Sequence, residues 1–308
     1  MSEFNYTKKC SLVVSTSDDY ETTWLPYFEL IKKYWKNCPK DIFLNSETKG
    51  YLDEELNIKS VLGGKEKSWS ERLYRCLEKV EAEYIFFSLE DFFLLGDIKD
   101  DVLEQCYNWM EENKNIAVCR IMPSNYDALL YNEKYEPFRF ATKEVPYRLD
   151  TQFALWRKKD LMSFIDLSEN PWQFETNGTK RIIETEKQFL WCYAKEREDL
   201  ETSAFPYHIN QIKGYGVAWG RWLFNNKKWF RANGIKGVKY HKLGVLSKTS
   251  VNLRYKYLYR VGKPPASGFS KLVQKTYKLI DKIEKGFAQI KINGLKKGLK
   301  NISKKRGK

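Results

Sequence analysis

Carboxylates stand in two settings of this sequence where they could do chemistry. The apolar run Tyr84-Ile85-Phe86-Phe87-Ser88-Leu89 leads straight into Glu90-Asp91. Mg²⁺ and Mn²⁺ are held by one or two carboxylates completed with phosphate oxygens. An acidic pair at a strand end could therefore anchor such a cation against a diphosphate, with Asp91 bridging and Glu90 or Ser88 assisting. An acidic pair that simply ends a buried strand would look the same. The second setting is Pro171-Trp172-Gln173-Phe174-Glu175, where two large rings flank a carboxylate. Desolvation there would raise its proton affinity toward the range useful for removing a proton from a hydroxyl. The alternative is an exposed glutamate near a helix start, favoured by the helix dipole.

Cations that could offset a leaving pyrophosphate are Arg72, Lys213 and Arg221, the last two flanking Gly214, Gly216 and Gly220 in a segment able to close over a ligand. Each also fits a solvated surface position. His208 lies beside the same segment and is a candidate late metal ligand, although a lone histidine more often serves a structural hydrogen bond. No GxSxG, HExxH or GxxxxGK[ST] pattern occurs, which argues against serine hydrolases, zincins and P-loop enzymes.

These residues need a frame. Cys10 to Thr16 reads as a β-strand, followed by Ser17-Asp18-Asp19, residues suited to capping a helix. That helix would turn Trp24, Leu25, Phe28, Ile31 and Trp35 inward. Strands at 41–45 and 58–62 follow, then a helix with Leu73, Cys76, Leu77 and Val80 on one face, the strand 84–89, a helix over about 100–113 and a strand 116–121. This alternation predicts an α/β fold with a mostly parallel sheet flanked by helices, whose ligands bind beyond the carboxyl ends of the strands. Beyond it, residues 123–146 read as loop and short strands, 147–156 as a strand, 159–165 as the start of a helix, and 184–196 as a further helix.

The formal charge of +14 is uneven, because Lys271–Lys308 holds 13 basic residues against two acidic ones and so supplies +11 of it. In that stretch Leu272, Leu279, Ile280, Ile283, Phe287 and Ile290 recur at helical spacing among lysines, a pattern suited to an anionic bilayer surface. Pro264-Pro265-Ala266-Ser267-Gly268 marks a boundary, giving a domain over 1–263, with halves 1–122 and 123–263, and a basic amphipathic helical tail over 264–308. The six cysteines lack paired spacing and read as reduced core residues. With neither a leader-like N-terminus nor a run of about 18 apolar residues, the expectation is a cytoplasmic protein lying peripherally at the inner face of the membrane.

The order of these segments resembles the bacterial GT-A glycosyltransferases of capsule, lipopolysaccharide and cell-surface polysaccharide clusters. The resemblance runs over about residues 10–245. It is carried by Leu12-Val13-Val14-Ser15-Thr16-Ser17-Asp18, Ser68-Trp69-Ser70-Glu71-Arg72-Leu73, Tyr84 to Leu94, Asp150-Thr151-Gln152-Phe153-Ala154-Leu155-Trp156-Arg157, Pro171 to Glu175, and Ile209 to Trp222 as a closing loop. It implies a Rossmann-like GT-A fold and transfer of a hexose-type sugar from a nucleotide-diphosphate sugar to a lipid-linked or oligosaccharide acceptor.

The resemblance also implies residue roles. The donor would be bound in the 1–122 half by Ser15, Thr16, Ser17, Asp18, Arg72, Glu90 and Asp91, with Lys213 and Arg221 from the late loop. The acceptor would meet Gln152 and Trp172, and Glu175 would be the base of an inverting transfer. Asp91, with His208, would hold the Mn²⁺ or Mg²⁺ ion. Glu90-Asp91-Phe92 departs from the family's Asp-x-Asp. A nucleotidyltransferase or an inactive GT-A relative would share the sheet and Asp91. A basic nucleic-acid-binding protein is disfavoured, because the body is nearly neutral and the tail carries aliphatic residues at helical spacing.

Overall fold

The computed structural model describes residues 4–196, 202–207, 216–218 and 220–248. All of these belong to one unit, Met1–Lys248. His208, Lys213, the boundary at 264 and the tail over 264–308 lie outside the described residues.

Every position of the first strand, β1 (Cys10–Ser15), is buried, and its alternating side chains feed two cores. Leu12 and Val14 join Trp24, Phe28, Ile31 and Trp35 on one face, whereas Val13 joins Leu73, Cys76, Leu77 and Val80 on the other. A strand has a period of two, so an all-apolar strand must be covered on both sides. The covering helices are α1 (Tyr6–Lys9), which precedes β1, and, from the connections, α2 (Glu21–Tyr34), α3 (Trp69–Lys79) and α4 (Asp100–Glu112). The strands between and after them are β2 (Ile42–Ser46), β3 (Ile58–Leu62), β4 (Tyr84–Leu89), β5 (Ile116–Ser124), β6 (Leu129–Tyr131), β7 (Phe138–Ala141), β8 (Ala154–Arg157) and β9 (Gln188–Tyr193). Helices α5 (Lys158–Ser163) and α6 (Pro171–Arg181) lie between the last two of these strands.

The strands form one nine-stranded sheet in the order β3-β2-β1-β4-β8-β5-β9-β7-β6. Ladders β3·β2, β2·β1 and β1·β4 are parallel, as is β5·β9, whereas β8 runs antiparallel between β4 and β5. The fold is thus the expected Rossmann-like α/β arrangement, parallel through its first half. Among the described residues no helix is long and apolar enough to cross a membrane. The six cysteines are free, five of them buried.

The structure departs from three expectations. Residues 184–196 do not form a helix, because Gln188–Tyr193 is the strand β9, parallel to β5 and antiparallel to β7. Phe189 and Trp191 fill one core and Leu190 and Cys192 the other, a two-sided burial that a short apolar run does not reveal by periodicity. The strand expected over 147–156 is confined to Ala154–Arg157. Tyr147 adopts φ 53°, and Arg148, Asp150 and Thr151 form side-chain bonds in place of a ladder. Asp18 does not cap a helix, since it ties β1 to the β2–β3 connection, as described next.

Candidate functional site at the carboxyl edge of the sheet

Register brings the candidate residues to one edge. Ser15 pairs with Asn45 and Leu89, so β1, β2 and β4 end in line. β8 runs the other way and begins where they end, with Ala154 opposite Phe87 and Arg120. Ser15 to Asp18, Glu90-Asp91 and Asp150 to Phe153 therefore share the carboxyl edge of the parallel strands, where open α/β sheets bind ligands.

Within the first loop most side chains are committed to the fold. Ser15 is buried and receives a bond from Asn45 Nδ2 at 3.2 Å, and Thr16 receives one from Trp24 Nε1 at 2.9 Å. Buried Asp18 accepts from Thr48 N at 3.0 Å, Thr48 Oγ1 at 2.5 Å and Lys49 N at 3.1 Å, with Lys65 at 3.7 Å. Burial alone would raise this carboxyl, but the Thr48 and Lys49 donors and the Lys65 charge hold it below the usual carboxylate range. Ser17 alone of the four stays partly exposed.

Asp18→Ala should cost about 2–4 kcal/mol at neutral pH by stranding its donors, read as a lower urea midpoint. A carboxyl depressed on folding stabilises fully above its unfolded pKa and loses that contribution as pH falls through the folded value. The two midpoints should therefore converge in acid.

Arg72 is buried beneath Gly63, where an added Cβ would stand 2.6 Å from Arg72 Cγ, so the glycine admits the arginine stem. Its guanidinium donates to Lys67 O at 2.7 Å and lies 3.6 Å from Glu47, which accepts from Asp18 N. This arginine braces the loops that follow β1 and β2 from within. Ser88 is also internal, bonded to Tyr27 Oη at 2.8 Å.

Glu90 and Asp91 divide. Glu90 is buried and hydrogen-bonded to Thr16, and burial followed by the Asp91 charge pushes it well above the usual carboxylate range. Asp91 is half-buried beside Tyr20, whose hydroxyl is pushed up to about 12 by burial and by the Glu90, Asp91 and Asp19 charges. A hairpin of β10 (Val217–Ala218) and β11 (Arg221–Leu223) approaches the same spot. Gly216 lies near Asp91 O, and Gly220, at φ 70°, lies near Tyr20 Oη. Asn226 pins the hairpin through both polar groups of Gly216, and Trp222 stacks on Phe93. Arg221 opens β11 of this hairpin, opposite Ala218. Among the described residues no group of three His, Cys, Asp or Glu side chains is arranged to hold a metal. A cation completed by phosphate oxygens needs fewer, and Asp91 fits that demand, whereas Glu90, turned into the fold, does not.

Glu175 reaches the edge through α6. Asn170 and Gln173 form a reciprocal capping box and Pro171 opens the helix. Phe174 packs on Trp69, and Gly178 meets Leu149 so closely that a Cβ would stand 2.4 Å from Leu149 Cδ2. That approach, with Leu149 N donating to Thr179 Oγ1, lays α6 against residues 149–151. Thr151 N and Oγ1 both donate to Glu175 Oε1, at 2.9 and 2.6 Å. Burial raises the Glu175 carboxyl above its ordinary value; the Thr151 donors and Arg120 offset part of this and the Asp150 charge adds to it. Trp172, one turn earlier on the same side of α6, is 73% exposed. Buried Tyr207 receives Phe153 N–H and donates to Gln152 Oε1 at 2.8 Å, which leaves the Gln152 Nε2 donors to point elsewhere.

No family model and no curated protein matches this sequence. Solved structures similar to it in fold include TarS 1–349 of S. aureus, at 16% identity and a TM-score of 0.41, covering 63% of each chain. A cytidylyltransferase from Leptospira borgpetersenii gives 9% identity and a TM-score of 0.42 over 84% of this chain and 99% of that one. CMP:2-keto-3-deoxy-manno-octonic acid synthetase complexed with CTP gives 12% and 0.39 over 61% and 90%. The chain thus aligns with less than two thirds of TarS 1–349.

Sequence reasoning missed Asp150, Thr151 and Arg120 as parts of the Glu175 environment, and Tyr207 as the partner of Gln152. A charged residue inside the apolar run Ile116–Ile121 was the available signal for Arg120. Nothing local named its partner.

Proposed function

We propose that this chain is a nucleotide-sugar-dependent glycosyltransferase acting with inversion on a glycan hydroxyl. The observation that carries this reading is Glu175: one carboxylate oxygen is clamped by Thr151 while no described residue donates to the other. It stands at the edge that also holds Asp91. Oε2 accepts the proton of an acceptor hydroxyl as that oxygen forms its bond to the sugar C1. On the opposite face the C1–O bond to the diphosphate breaks, and the nucleoside diphosphate leaves with the electron pair. Trp172 offers an exposed ring for a sugar face, Gln152 Nε2 a donor for a hydroxyl, and Arg221 a charge for the leaving phosphates. A divalent ion held at Asp91 would neutralise charge on the diphosphate.

The test is product identity. TarS has been solved with UDP and the synthetase with CTP, so both nucleotides belong in the probe set. Incubation with a panel of nucleotide sugars should release free nucleoside diphosphate. Pyrophosphate release from a nucleoside triphosphate and a sugar would instead make the chain a nucleotidyltransferase. In thermal-shift measurements a nucleoside diphosphate with Mn²⁺ at about 100 times its Kd should stabilise the protein by about 2.7 kcal/mol. No shift with any nucleotide, with or without metal, would remove the donor site.

The basic segment over 264–308 is proposed to hold the enzyme at an anionic membrane near a lipid-linked acceptor. Deleting residues 268–308 should abolish sedimentation with anionic vesicles and spare transfer to a water-soluble acceptor. Unchanged sedimentation would end that proposal.

A further inference from the structure

We propose that Asp150 is a positioning residue for Glu175: braced by Arg120, it shapes the turn that presents Thr151 to the base and sets a second negative charge beside it. This rests on the reading of Glu175 as the base.

Arg120 is 3% exposed at the middle of β5, with its guanidinium stacked 4.4 Å from the Trp191 ring centre. Nη1 donates to Met122 O and to Ser124 Oγ, and Nε donates to Asp150 Oδ2 at 2.6 Å. An arginine fixed at so many points holds its carboxylate in one place. The other oxygen, Asp150 Oδ1, accepts from Gln152 N at 3.2 Å and so closes a tight turn with Thr151 at its centre. Both Thr151 donors leave that turn toward Glu175 Oε1. The connection therefore runs from β5 through Asp150 and Thr151 to the base, joining segments that lie far apart in the sequence.

The arrangement sets opposing forces on one proton. Thr151 and the Arg120 charge favour ionised Glu175, while burial and the Asp150 charge favour the protonated form. Several other charged groups around α6 are engaged elsewhere. Arg181 pairs with Glu169, and on α3, which packs against α6, Glu71 pairs with Arg75 and Lys67, while Arg72 faces Glu47. A base poised between such forces takes a proton without holding it too strongly when unloaded.

The experiment needs no identified substrate. Full-length protein is labelled with ¹³C at the glutamate side-chain carboxyl, the Glu175 resonance is assigned by its loss in Glu175→Gln, and its titration is followed from acid to neutral pH. Asp150→Asn keeps an oxygen for the Gln152 amide and removes the charge, so the midpoint should fall by about one pH unit. Thr151→Val removes a donor to the carboxylate, so the midpoint should rise, and Thr151→Ser, which keeps both donors, should leave it in place. Amide spectra confirm that each variant is folded. An unmoved midpoint in Asp150→Asn, or a shift in the same direction as Thr151→Val, overturns the proposal. Normal sugar transfer by Glu175→Gln would instead overturn the reading of Glu175 as the base and leave the titration result intact.

Discussion

Glu175→Gln is expected to lower turnover by about 10²–10⁴-fold while nucleotide affinity stays within about threefold. Glutamine keeps the length of the side chain and an oxygen for the Thr151 N–H and hydroxyl, so α6 stays docked on residues 149–151 through Gly178 and Thr179. What is lost is a group able to take a proton. The proposed donor side, around Asp91 and the β1 loop, is built from other strands and is left alone, so the loss should fall on kcat. In the unaltered enzyme kcat should fall as pH drops through the Glu175 pKa. Because burial raises that carboxyl, the fall should begin above the ordinary glutamate value of about 4.3. Initial rates of nucleoside diphosphate release across pH, with calorimetric titration of the nucleotide, measure both. Near-normal turnover in Glu175→Gln would remove the base assignment.

The largest loss of stability is expected from Arg157→Met, about 3–5 kcal/mol. Arg157 ends β8 at the edge of the sheet opposite the site, and its side chain is fully buried. Nη1 donates to Glu83 at 2.9 Å and Tyr84 Oη at 2.6 Å, and Nη2 to Met110 O at 2.7 Å and Ile116 O at 3.4 Å. Asp160 lies 3.5 Å from Nε, a charge contact without hydrogen-bond geometry, and is supported by Lys187 at 3.1 Å. One guanidinium thus joins β4, β8, α4 and the start of β5. Methionine keeps much of the volume and supplies no donor, so the bonds to Met110 O, Ile116 O and Tyr84 Oη and the charge contact with buried Asp160 are lost together, although Lys114 still reaches Tyr84 Oη and Tyr84 still reaches Met110 O. A large fall in the urea midpoint at unchanged slope would report this, and the fraction still folded should keep its specific activity. A loss within about 0.5 kcal/mol would show that water or rearrangement replaces the arginine.

The parallel half of the fold was legible because each of its elements carries its own signal. The stretches Cys10–Ser15 and Tyr84–Leu89 are short, apolar and bounded by polar residues, and the helices between them repeat apolar positions at three and four. The Glu90-Asp91 pair was visible for the same reason, since a strand end is a local event. The second half was harder to read. Gln188–Tyr193 is apolar enough for a helix or a buried strand, and only the open positions beside β5 and β7 make it a strand.

Residue types and their spacing alone show which groups could bear charge or take a proton, and that the first half alternates strand and helix, because propensity and periodicity act over a few neighbouring residues. Tertiary structure decided which of those residues work as a group. It turned Asp18 and Arg72 inward as braces, separated Glu90 from Asp91 by burial, and used Gly178 and Thr179 to seat Glu175 on Thr151, beside an Asp150 fixed by Arg120. Such pairings depend on register between strands distant in the chain and on close approach at single glycines. No local pattern encodes them, because the energies that select them come from contacts that exist only after the chain has folded.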